Sequence, residues 1–400
     1  MILQIIQILL LVFIGLLIFY LSLLSVLALF ARNNILNLKN GFKQFAIVIP
    51  AHNEEMSIEE TIQSILKIEY PRSHLDIIVI ADNCTDRTAE IARELGAKVL
   101  ERTNSDQRGK GYALRWCFDI ILGPKYSFDA IAVIDADSTA SKNFLKVLNQ
   151  YIHMGSKAIQ VSDMVKPQPG NWSSEITRLG FTLYNHVRPL GRKVIRCSAG
   201  IRGNGMCFSS KTLRDIPWNT YSLNEDLEYG LLLLLKGVNV DFAPETNVLA
   251  TMPAQASNAV SQRSRWEKGR FPVIKKYSMR LLLGSFSKIS YRLFDAFIEL
   301  VTPAFVNLFG FALLMFCLNG LFLSFGIYSS KLFLFLWGIV LSLGLIHVTV
   351  GLFVAGADRK LLKAFFYIPK YALWKLMVYS RIISSQSQNE WIRTTREKNK

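Results

Sequence analysis

The chain lacks any pair of cysteines with the spacing of a metal site or of a disulfide framework. Its five cysteines are odd in number, and no two of them form a Cys-x-x-Cys pair. This pattern argues against a zinc site and against a disulfide-stapled secreted domain. A reducing compartment, with the middle of the chain facing the cytosol, fits the cysteine content.

Charged residues are also scarce. They make up 19% of the 400 residues, whereas hydrophobic residues make up 51% and are concentrated at both ends of the chain. This composition is typical of a membrane protein with a soluble middle domain. The net charge of +16 comes with many basic residues close to the apolar segments, where cytoplasmic loops and anionic lipid account for them. We therefore expect membrane lipid, and no nucleic acid, as a partner.

The first apolar segment has no basic residue before it and no clear signal-peptide cleavage site. We predict a transmembrane helix over residues 1–31. Because Arg32, Lys39 and Lys43 follow it, the amino terminus is expected outside and the next domain in the cytoplasm. Further along we predict an amphipathic interface helix at 271–297, transmembrane helices at 298–322 and 332–354, interfacial helices at 361–383 and a cytoplasmic tail at 384–400.

Between these segments, short apolar runs alternate with helical patterns. Strands are predicted at 45–49, 77–81 and 98–101, followed by the run from Ala130 that ends in two aspartates. Such alternation predicts an α/β fold with a mostly parallel sheet and helices on both faces. Ligands bind at the carboxyl ends of strands in these sheets, and polar clusters follow several of the predicted strands.

Asp135 and Asp137 follow the most apolar of these runs. Side chains alternate along an extended strand, so the two carboxylates are expected on the same side, where they can share a hard cation or a sugar phosphate. The alternative is a solvated turn after a buried strand.

Other polar positions leave similar alternatives open. Asp82 can accept hydrogen bonds from a base or ribose, or form an Asx turn. Lys110 lies between two glycines and can approach a diphosphate closely, or be a solvated loop lysine. Residues 202–208 can contact an acceptor sugar or form a structural turn, and the acids Glu225 and Asp226 can act chemically or cap a helix.

Six motifs in a fixed order carry a family resemblance. They are Pro-Ala-His-Asn-Glu-Glu at 50–55, Asp82 in Ala-Asp-Asn-Cys-Thr-Asp, Arg-Gly-Lys-Gly-Tyr-Ala-Leu from 108, Asp-Ala-Asp at 135–137, Asn-Glu-Asp at 224–226, and Gln-Arg-Ser-Arg-Trp at 262–266. In these motifs the chain resembles the catalytic domain of family 2 glycosyltransferases, the membrane-bound inverting enzymes that include cellulose, chitin, hyaluronan and poly-N-acetylglucosamine synthases. The resemblance implies a GT-A type, Rossmann-like domain over 45–270 and a nucleotide-diphospho-sugar donor.

The resemblance also implies roles for individual residues. The nucleoside would be held by Ala51, Glu54 and Asp82, and the metal, Mg²⁺ or Mn²⁺, by Asp137 with help from Asp135. Asp226 would be the general base, in preference to Glu225. We further expect Lys110, Asp135 and Arg265 to face the donor, and Gly203, Asn204, Gln262 and Trp266 to face the acceptor. Most other basic residues around this last motif are expected to lie on anionic lipid.

These features predict an inverting transferase in the plasma or inner membrane that adds a sugar, with a UDP-sugar as the expected donor, to a growing polysaccharide. The alternative is a single addition to a lipid or lipid-linked acceptor. Because three spans make a narrow path for a polymer, a second copy or an accessory export subunit is expected. A non-catalytic scaffold is disfavoured because four acids expected in the site are all present, namely Asp82, Asp135, Asp137 and Asp226. A transporter is disfavoured because the predicted spans contain few charged residues.

Overall fold

Eight strands form one sheet among the residues that the computed structural model describes, which are 2–32, 41–167, 172–252, 256–326 and 331–357, with 361, 364–367 and 371 beside them. The strands are β1 (Phe45–Ala51), β2 (Leu75–Asp82), β3 (Lys98–Arg102), β4 (Ala130–Val133), β5 (Ser138–Ala140), β6 (Ala158–Val165), β7 (Met206–Ser209) and β8 (Val240–Ala250). Their order across the sheet is β3-β2-β1-β4-β7-β6-β8-β5.

Six of these strands run in the same direction. The pairs β1–β2, β2–β3, β1–β4 and β6–β8 are parallel, whereas β7 is antiparallel to both β4 and β6, and β5 is antiparallel to β8. The predicted α/β fold with a mostly parallel sheet is confirmed. Strands such as β1 are almost entirely apolar because both faces of the sheet are covered.

Helices cover the sheet on two sides. One core places Ile47 and Ile49 of β1 against α2 (Ile58–Leu66), α3 (Thr88–Glu94) and α5 (Phe144–His153). The other places Val48 against helices on the opposite face, namely α4 (Lys110–Ile121), α6 (Trp172–Phe181), α7 (Arg188–Val194), α8 (Ser210–Asp215) and α9 (Glu225–Leu235). A π-helical segment, Thr182–Val187, joins α6 to α7. The side-chain alternation of a strand therefore divides the core into two layers.

Three described helices are long and apolar enough to cross a membrane. These spans are Gln4–Ala28 within α1 (Ile2–Ala28), α12 (Phe305–Ser324) and α13 (Lys331–Val354). They pack together around Leu21, Leu308 and Trp337.

Two predicted boundaries differ from the structure. The span predicted at 298–322 begins only at Phe305, and residues before it belong to α11 (Tyr291–Val301). The helix ends there because Pro303 lacks a backbone N–H and disfavours helical geometry at the preceding residue. The interface helix predicted at 271–297 is instead split between α11 and the longer α10 (Ala256–Ser287), which contains the arginine-tryptophan motif.

At the carboxyl end, Ala364–Tyr367 forms a single 3₁₀ turn. The rest of the predicted interfacial pair at 361–383, apart from residues 361 and 371, lies outside the described residues, as does the predicted tail at 384–400.

Helix α7 joins the α/β domain to the long apolar helix α1 and to α11. A side chain at Gly191 would bring its Cβ within 2.2 Å of the Leu24 carbonyl oxygen in α1, so the two helices meet backbone to backbone. On the same helix, Arg192 Nε donates to Asp295 Oδ2 of α11 at 2.8 Å, and Tyr20 OH donates to Asp295 Oδ1 at 2.8 Å. One buried carboxylate thus joins α1, α7 and α11.

The close contact at Gly191 gives a test of this attachment. We expect Gly191→Val to lower the free energy of unfolding by about 1–3 kcal/mol, because the backbone of α1 cannot yield as a flexible side chain would. Gly180→Ala is the matched control, since a Cβ there has no neighbour within 4 Å. Thermal unfolding of both purified variants measures the effect, and equal midpoints would contradict the proposed contact.

Candidate functional site

A cleft of about 1040 Å³ opens at the carboxyl end of β4, beside the amino end of β7. Its walls come from the loops at these strand ends, the first turns of α4 and α9, and the middle of α10. Most of the predicted site residues line it: Lys110, Asp135, Asp137, Gly203, Asn204, Asp226, Arg265 and Trp266.

The two aspartates after β4 lie in a tight turn. The strand ends at Val133, two residues earlier than the first aspartate, and the chain turns before β5 starts at Ser138. The backbone N–H of Asp135 donates to Asn204 Oδ1 at 3.1 Å, and Ser138 Oγ donates to Asp137 Oδ1 at 3.0 Å. The sequence left open a turn or a pair of carboxylates in a site. Both descriptions apply, because the segment is a turn and its carboxylates line the cleft.

Lys110 is the first residue of α4 and points into the cleft. Its Nζ forms an ion pair with the Asp135 carboxylate and donates to the Gly203 carbonyl oxygen at 2.6 Å. Burial opposes the charged form, but the neighbouring carboxylates of Asp135 and Glu225 outweigh it and raise the pKa of Lys110. Lys110 is therefore not a solvated loop lysine. Its ammonium group joins the turn that carries Asp135 to the loop that carries Gly203.

Asn204 lines the cleft and also holds the aspartate turn, while its contact with an acceptor stays a prediction. Its Nδ2 donates to Ser138 Oγ and to Asp163 Oδ1, both at 3.0 Å, while its Oδ1 receives the Asp135 N–H. The side chain is buried and its amide is occupied by these partners, so Asn204 positions the aspartate turn. Burial raises the pKa of Asp163 well above its ordinary value.

Gly203 brings backbone against the predicted general base. Its φ of +84° lies in the left-handed region, and an added Cβ would be 2.8 Å from Asp226 Oδ2. Glu225 and Asp226 are the first two residues of α9, where the helix dipole favours negative charge. Burial nevertheless raises the pKa of both acids, and that of Glu225 reaches about 8 with the Asp226 charge beside it.

Helix α10 closes the cleft with its arginine-tryptophan motif. Asn224 Nδ2 donates to the Trp266 carbonyl oxygen at 3.2 Å, and the rings of Trp266 and Phe181 lie 5.9 Å apart. Burial lowers the pKa of Arg265, against the opposing charges of the acids across the cleft, Glu225 first among them. The side chain of Gln262 lies outside the described residues.

Three predicted nucleoside contacts do not line this cleft. Ala51 and Asp82 are buried at the ends of β1 and β2, and Asp82 Oδ1 accepts from Arg102 Nη1 at 2.6 Å in a buried ion pair. Glu54 Oε2 accepts from Ser57 Oγ at 2.6 Å. The role of these residues in holding a nucleoside stays a prediction.

Sequence reasoning missed several residues of the cleft. Asp163 lies near the end of β6. An acid close to the end of an apolar strand was the signal that identified Asp135, and the same signal could have identified Asp163. Arg188 also lines the cleft, and no pattern in the sequence sets it apart from other basic residues. Arg202, which lines the cleft as well, opens the segment 202–208 that the sequence offered as a possible acceptor contact.

The acids of the cleft allow a divalent ion but do not form a complete cage for one. Within the described ranges, no group of three or more His, Cys, Asp or Glu side chains is placed to hold a metal. Magnesium commonly uses one or two carboxylates together with phosphates of a substrate. The pair Asp135 and Asp137 fits that mode of binding.

Comparison with known proteins identifies the family to which the chain belongs. Residues 43–269 match the sequence profile of the family described as "Glycosyltransferase like family 2". The chain is similar to a probable glycosyltransferase, YdaM, of Bacillus subtilis, with 26% identity over 263 residues, 63% of this chain and 60% of that protein. It is also similar to the beta-monoglucosyldiacylglycerol synthase of Nostoc, with 26% identity over 240 residues, 56% of this chain and 48% of that protein.

A third similarity covers more of both chains. The poly-beta-1,6-N-acetyl-D-glucosamine synthase of Staphylococcus epidermidis is 23% identical over 336 residues, 79% of this chain and 76% of that protein. Among solved structures, a mannosyltransferase from Pyrobaculum calidifontis in complex with GDP-Man and Mn²⁺ superposes with a TM-score of 0.52 at 14% identity, covering 86% of this chain and 98% of that one. The latter similarity shows the fold.

The raised pKa of Glu225 predicts a pH dependence of stability. Because the folded chain raises this pKa from 4.5 to about 8, its contribution to the free energy of unfolding is present below pH 4.5 and is lost as the pH rises towards 8. Thermal unfolding with a metal chelator present should therefore show a midpoint that falls less steeply with pH in Glu225→Gln than in the unmodified chain. The exposed Glu94→Gln serves as control and should keep the original slope. Identical slopes for all three proteins would contradict the buried acid pair.

Proposed function

The chain belongs to the glycosyltransferase-like family 2, and from that membership we propose that it transfers a sugar from a nucleoside-diphosphate donor to a lipid or lipid-linked acceptor at the membrane surface. The observation that carries this choice is the continuity of the cleft. Asp135, Asp137 and Asp226 line one part of it, and Phe305, Phe309 and Val348 of the membrane helices line another.

An acceptor with an apolar portion suits such a cleft. Its hydrocarbon can lie against α12 and α13 while its polar end reaches the acids, so it need not leave the membrane to react. Burying hydrocarbon against these side chains is favourable by roughly 25 cal/mol per Å² of apolar surface. A glycan offers little apolar surface and needs hydrogen-bond partners along its length.

The donor end is assigned to the loops around the aspartate turn. Lys110 and Arg265 supply positive charge for the diphosphate, and a UDP-sugar is the proposed donor, with Ala51, Glu54 and Asp82 towards the nucleoside. Asp137, with Asp135, would hold Mg²⁺ or Mn²⁺, which when bound would supply positive charge against the departing diphosphate. The Lys110 contact with Asp135 keeps that carboxylate oriented before the donor arrives.

Asp226 is the proposed general base. It lies against the backbone of Gly203, and burial raises its pKa, which makes its carboxylate a stronger proton acceptor. Asp226 takes the proton of the acceptor hydroxyl as the oxygen attacks the anomeric carbon and the bond to the diphosphate breaks. A single displacement of this kind inverts the configuration of that carbon.

A growing polysaccharide is the second candidate acceptor. The aromatic face of Trp266, which lines the cleft, favours it, as does the similarity over 76% of the length of the poly-N-acetylglucosamine synthase. Under this candidate a second copy or an export subunit would complete the path of the polymer. The mass of the product formed from each UDP-sugar distinguishes single additions from a ladder of chain lengths.

The proposed location is the plasma or inner membrane, with the catalytic domain in the cytoplasm. Three apolar helices support the membrane location, and Arg32, Lys39 and Lys43 after the first one support the orientation.

The base assignment predicts the behaviour of Asp226→Asn. This variant should bind UDP almost as well as the unmodified chain but lose transfer by about 10²–10⁴-fold, because the acceptor hydroxyl has no proton acceptor. Glu225→Gln is the matched neighbour and should retain most of the transfer. UDP release and UDP affinity of purified protein measure the two effects. A large loss of UDP affinity in Asp226→Asn would remove Asp226 from this role.

The metal assignment predicts a different pattern for Asp137→Ala. Here donor binding should weaken in the presence of Mg²⁺ or Mn²⁺ and become insensitive to the ion, because the carboxylate that shares it with the diphosphate is gone. Titration of UDP with and without metal, monitored calorimetrically, tests this expectation. If the variant keeps the metal dependence of the original chain, the ion is held elsewhere.

A further inference from the structure

Buried positive charge collects where the cleft meets the membrane helices. Arg188 of α7, Arg202 in the loop before β7, and Arg270 of α10 all line the cleft, and all three lie around Glu299 of α11. The side chains of Arg188, Arg202 and Glu299 are 3%, 5% and 8% exposed. Arg192 also lies near Glu299 but is paired with Asp295, and Arg202 also faces Asp226. Within the described part of the chain, Glu299 is the one carboxylate that forms ion pairs with Arg188 and Arg202.

The single carboxylate satisfies these arginines incompletely. Arg202 Nη2 is 3.2 Å from Glu299 Oε1, but Arg188 Nη1 is 3.8 Å from Glu299 Oε2, which is too long for a hydrogen bond. Arg270 Nη2 donates to the carbonyl oxygens of residues 299, 300 and 302 at 2.8–2.9 Å and so caps the end of α11. The nearby Asp295 is already paired with Arg192.

Two buried nitrogens are left without partners. The Nε atoms of Arg188 and Arg202 have no hydrogen-bond acceptor among the described residues. Both guanidinium groups lie over the ring of Tyr184, at 4.9 and 4.1 Å from its centre. Burying cations with unsatisfied donors is costly unless an anion compensates them. Burial by itself would raise the pKa of Glu299, yet the surrounding arginines lower it to about 2, so that carboxylate is already ionised and supplies only one negative charge.

The neighbouring surface is apolar. Leu183, Phe305, Phe309 and Val348 line the same cleft and come from the π-helical segment, α12 and α13. A ligand that satisfies both parts must carry an anionic oxygen group and a hydrocarbon portion.

We propose that Arg188 and Arg202 bind the anionic head of an amphiphilic acceptor, a phosphate or carboxylate, whose hydrocarbon lies between α12 and α13. This inference rests on the proposed transfer to a lipid and specifies the acceptor class. A planar guanidinium fork recognises either oxyanion through paired hydrogen bonds. The donor diphosphate is assigned to another part of the cleft, near Lys110 and Asp137, so the two anionic ligands occupy separate positions.

Lipid binding without donor tests the inference. The full chain, purified in non-ionic detergent, is mixed with dioleoyl phosphatidic acid, with oleate, or with neutral dioleoylglycerol, and the bound lipid is measured by native mass spectrometry. We expect at least one of the two anionic lipids to bind about ten-fold more tightly than the neutral one, and which of them does so identifies the head group. Equal binding of all three lipids, or displacement of the anionic lipid by UDP alone, would overturn the proposal.

Four variants make the test specific. Arg188→Gln should reduce the preference for the anionic lipid by about ten-fold, and Arg188→Lys should restore part of it. Arg115→Gln, an exposed arginine paired with Asp119, removes the same charge elsewhere and should change nothing. Glu299→Gln should act in the opposite direction and tighten the binding, because it leaves more positive charge uncompensated. An unchanged preference for the anionic lipid in both Arg188→Gln and Glu299→Gln would overturn the assignment. Because the two expected effects differ in sign, a general loss of structure cannot produce both of them.

A separate assay distinguishes this inference from the proposed function. This assay uses dioleoyl phosphatidylglycerol, which carries both an anionic phosphate and an acceptor hydroxyl. If UDP release requires added lipid but dioleoylglycerol serves as well as this anionic lipid, the transferase function holds and the anionic head is wrong. If no lipid supports release and a polysaccharide does, transfer to lipid is itself wrong.

Discussion

The arrangement of the cleft depends on Lys110. One cleft contains five acidic residues, whose negative charges repel one another. They are Asp135, Asp137, Asp163, Glu225 and Asp226. Lys110 meets this repulsion with one cation that contacts both the aspartate turn and the carbonyl of Gly203. Asn204 adds hydrogen bonds to Asp135 and Ser138 between the same two loops, and a further one to Asp163 of β6. These contacts fix the separation between the loop that carries Gly203, beside Asp226, and the turn that carries Asp135.

A second constraint joins this chemistry to the membrane. Helix α7 lies directly on α1 at Gly191, and Arg192, Asp295 and Tyr20 link α7, α1 and α11 through buried polar contacts. The same helix carries Arg188 into the cleft. The domain held in this way keeps one wall of its cleft formed by the apolar helices α12 and α13, which suits the proposed acceptor with a hydrocarbon portion.

The sequence predicted much of the fold because its signals were local. Buried parallel strands are apolar throughout, so β1, β2 and β4 were visible as runs, and their polar ends indicated the edge where ligands bind. The ordered motifs identified the family, which the profile match over residues 43–269 confirmed. Boundaries were less predictable. The start of α12 was misplaced because the apolar pattern continues through α11, and only Pro303 interrupts the helix.

The sequence by itself determined the fold class, through the periodicity of its segments, and the family, through its ordered motifs. It also singled out Asp135, Asp137 and Asp226 among the acids that line the cleft, but not Asp163. Tertiary structure decided how those residues are used. Asn204 became a tie between loops, Lys110 a partner of Asp135, and Arg188 and Arg202 members of a buried charged group beside α12 and α13. These roles depend on contacts between residues far apart in the chain. Burial and the separation of charges, which set pKa values and unsatisfied donors, exist only once the helices and the sheet have packed together.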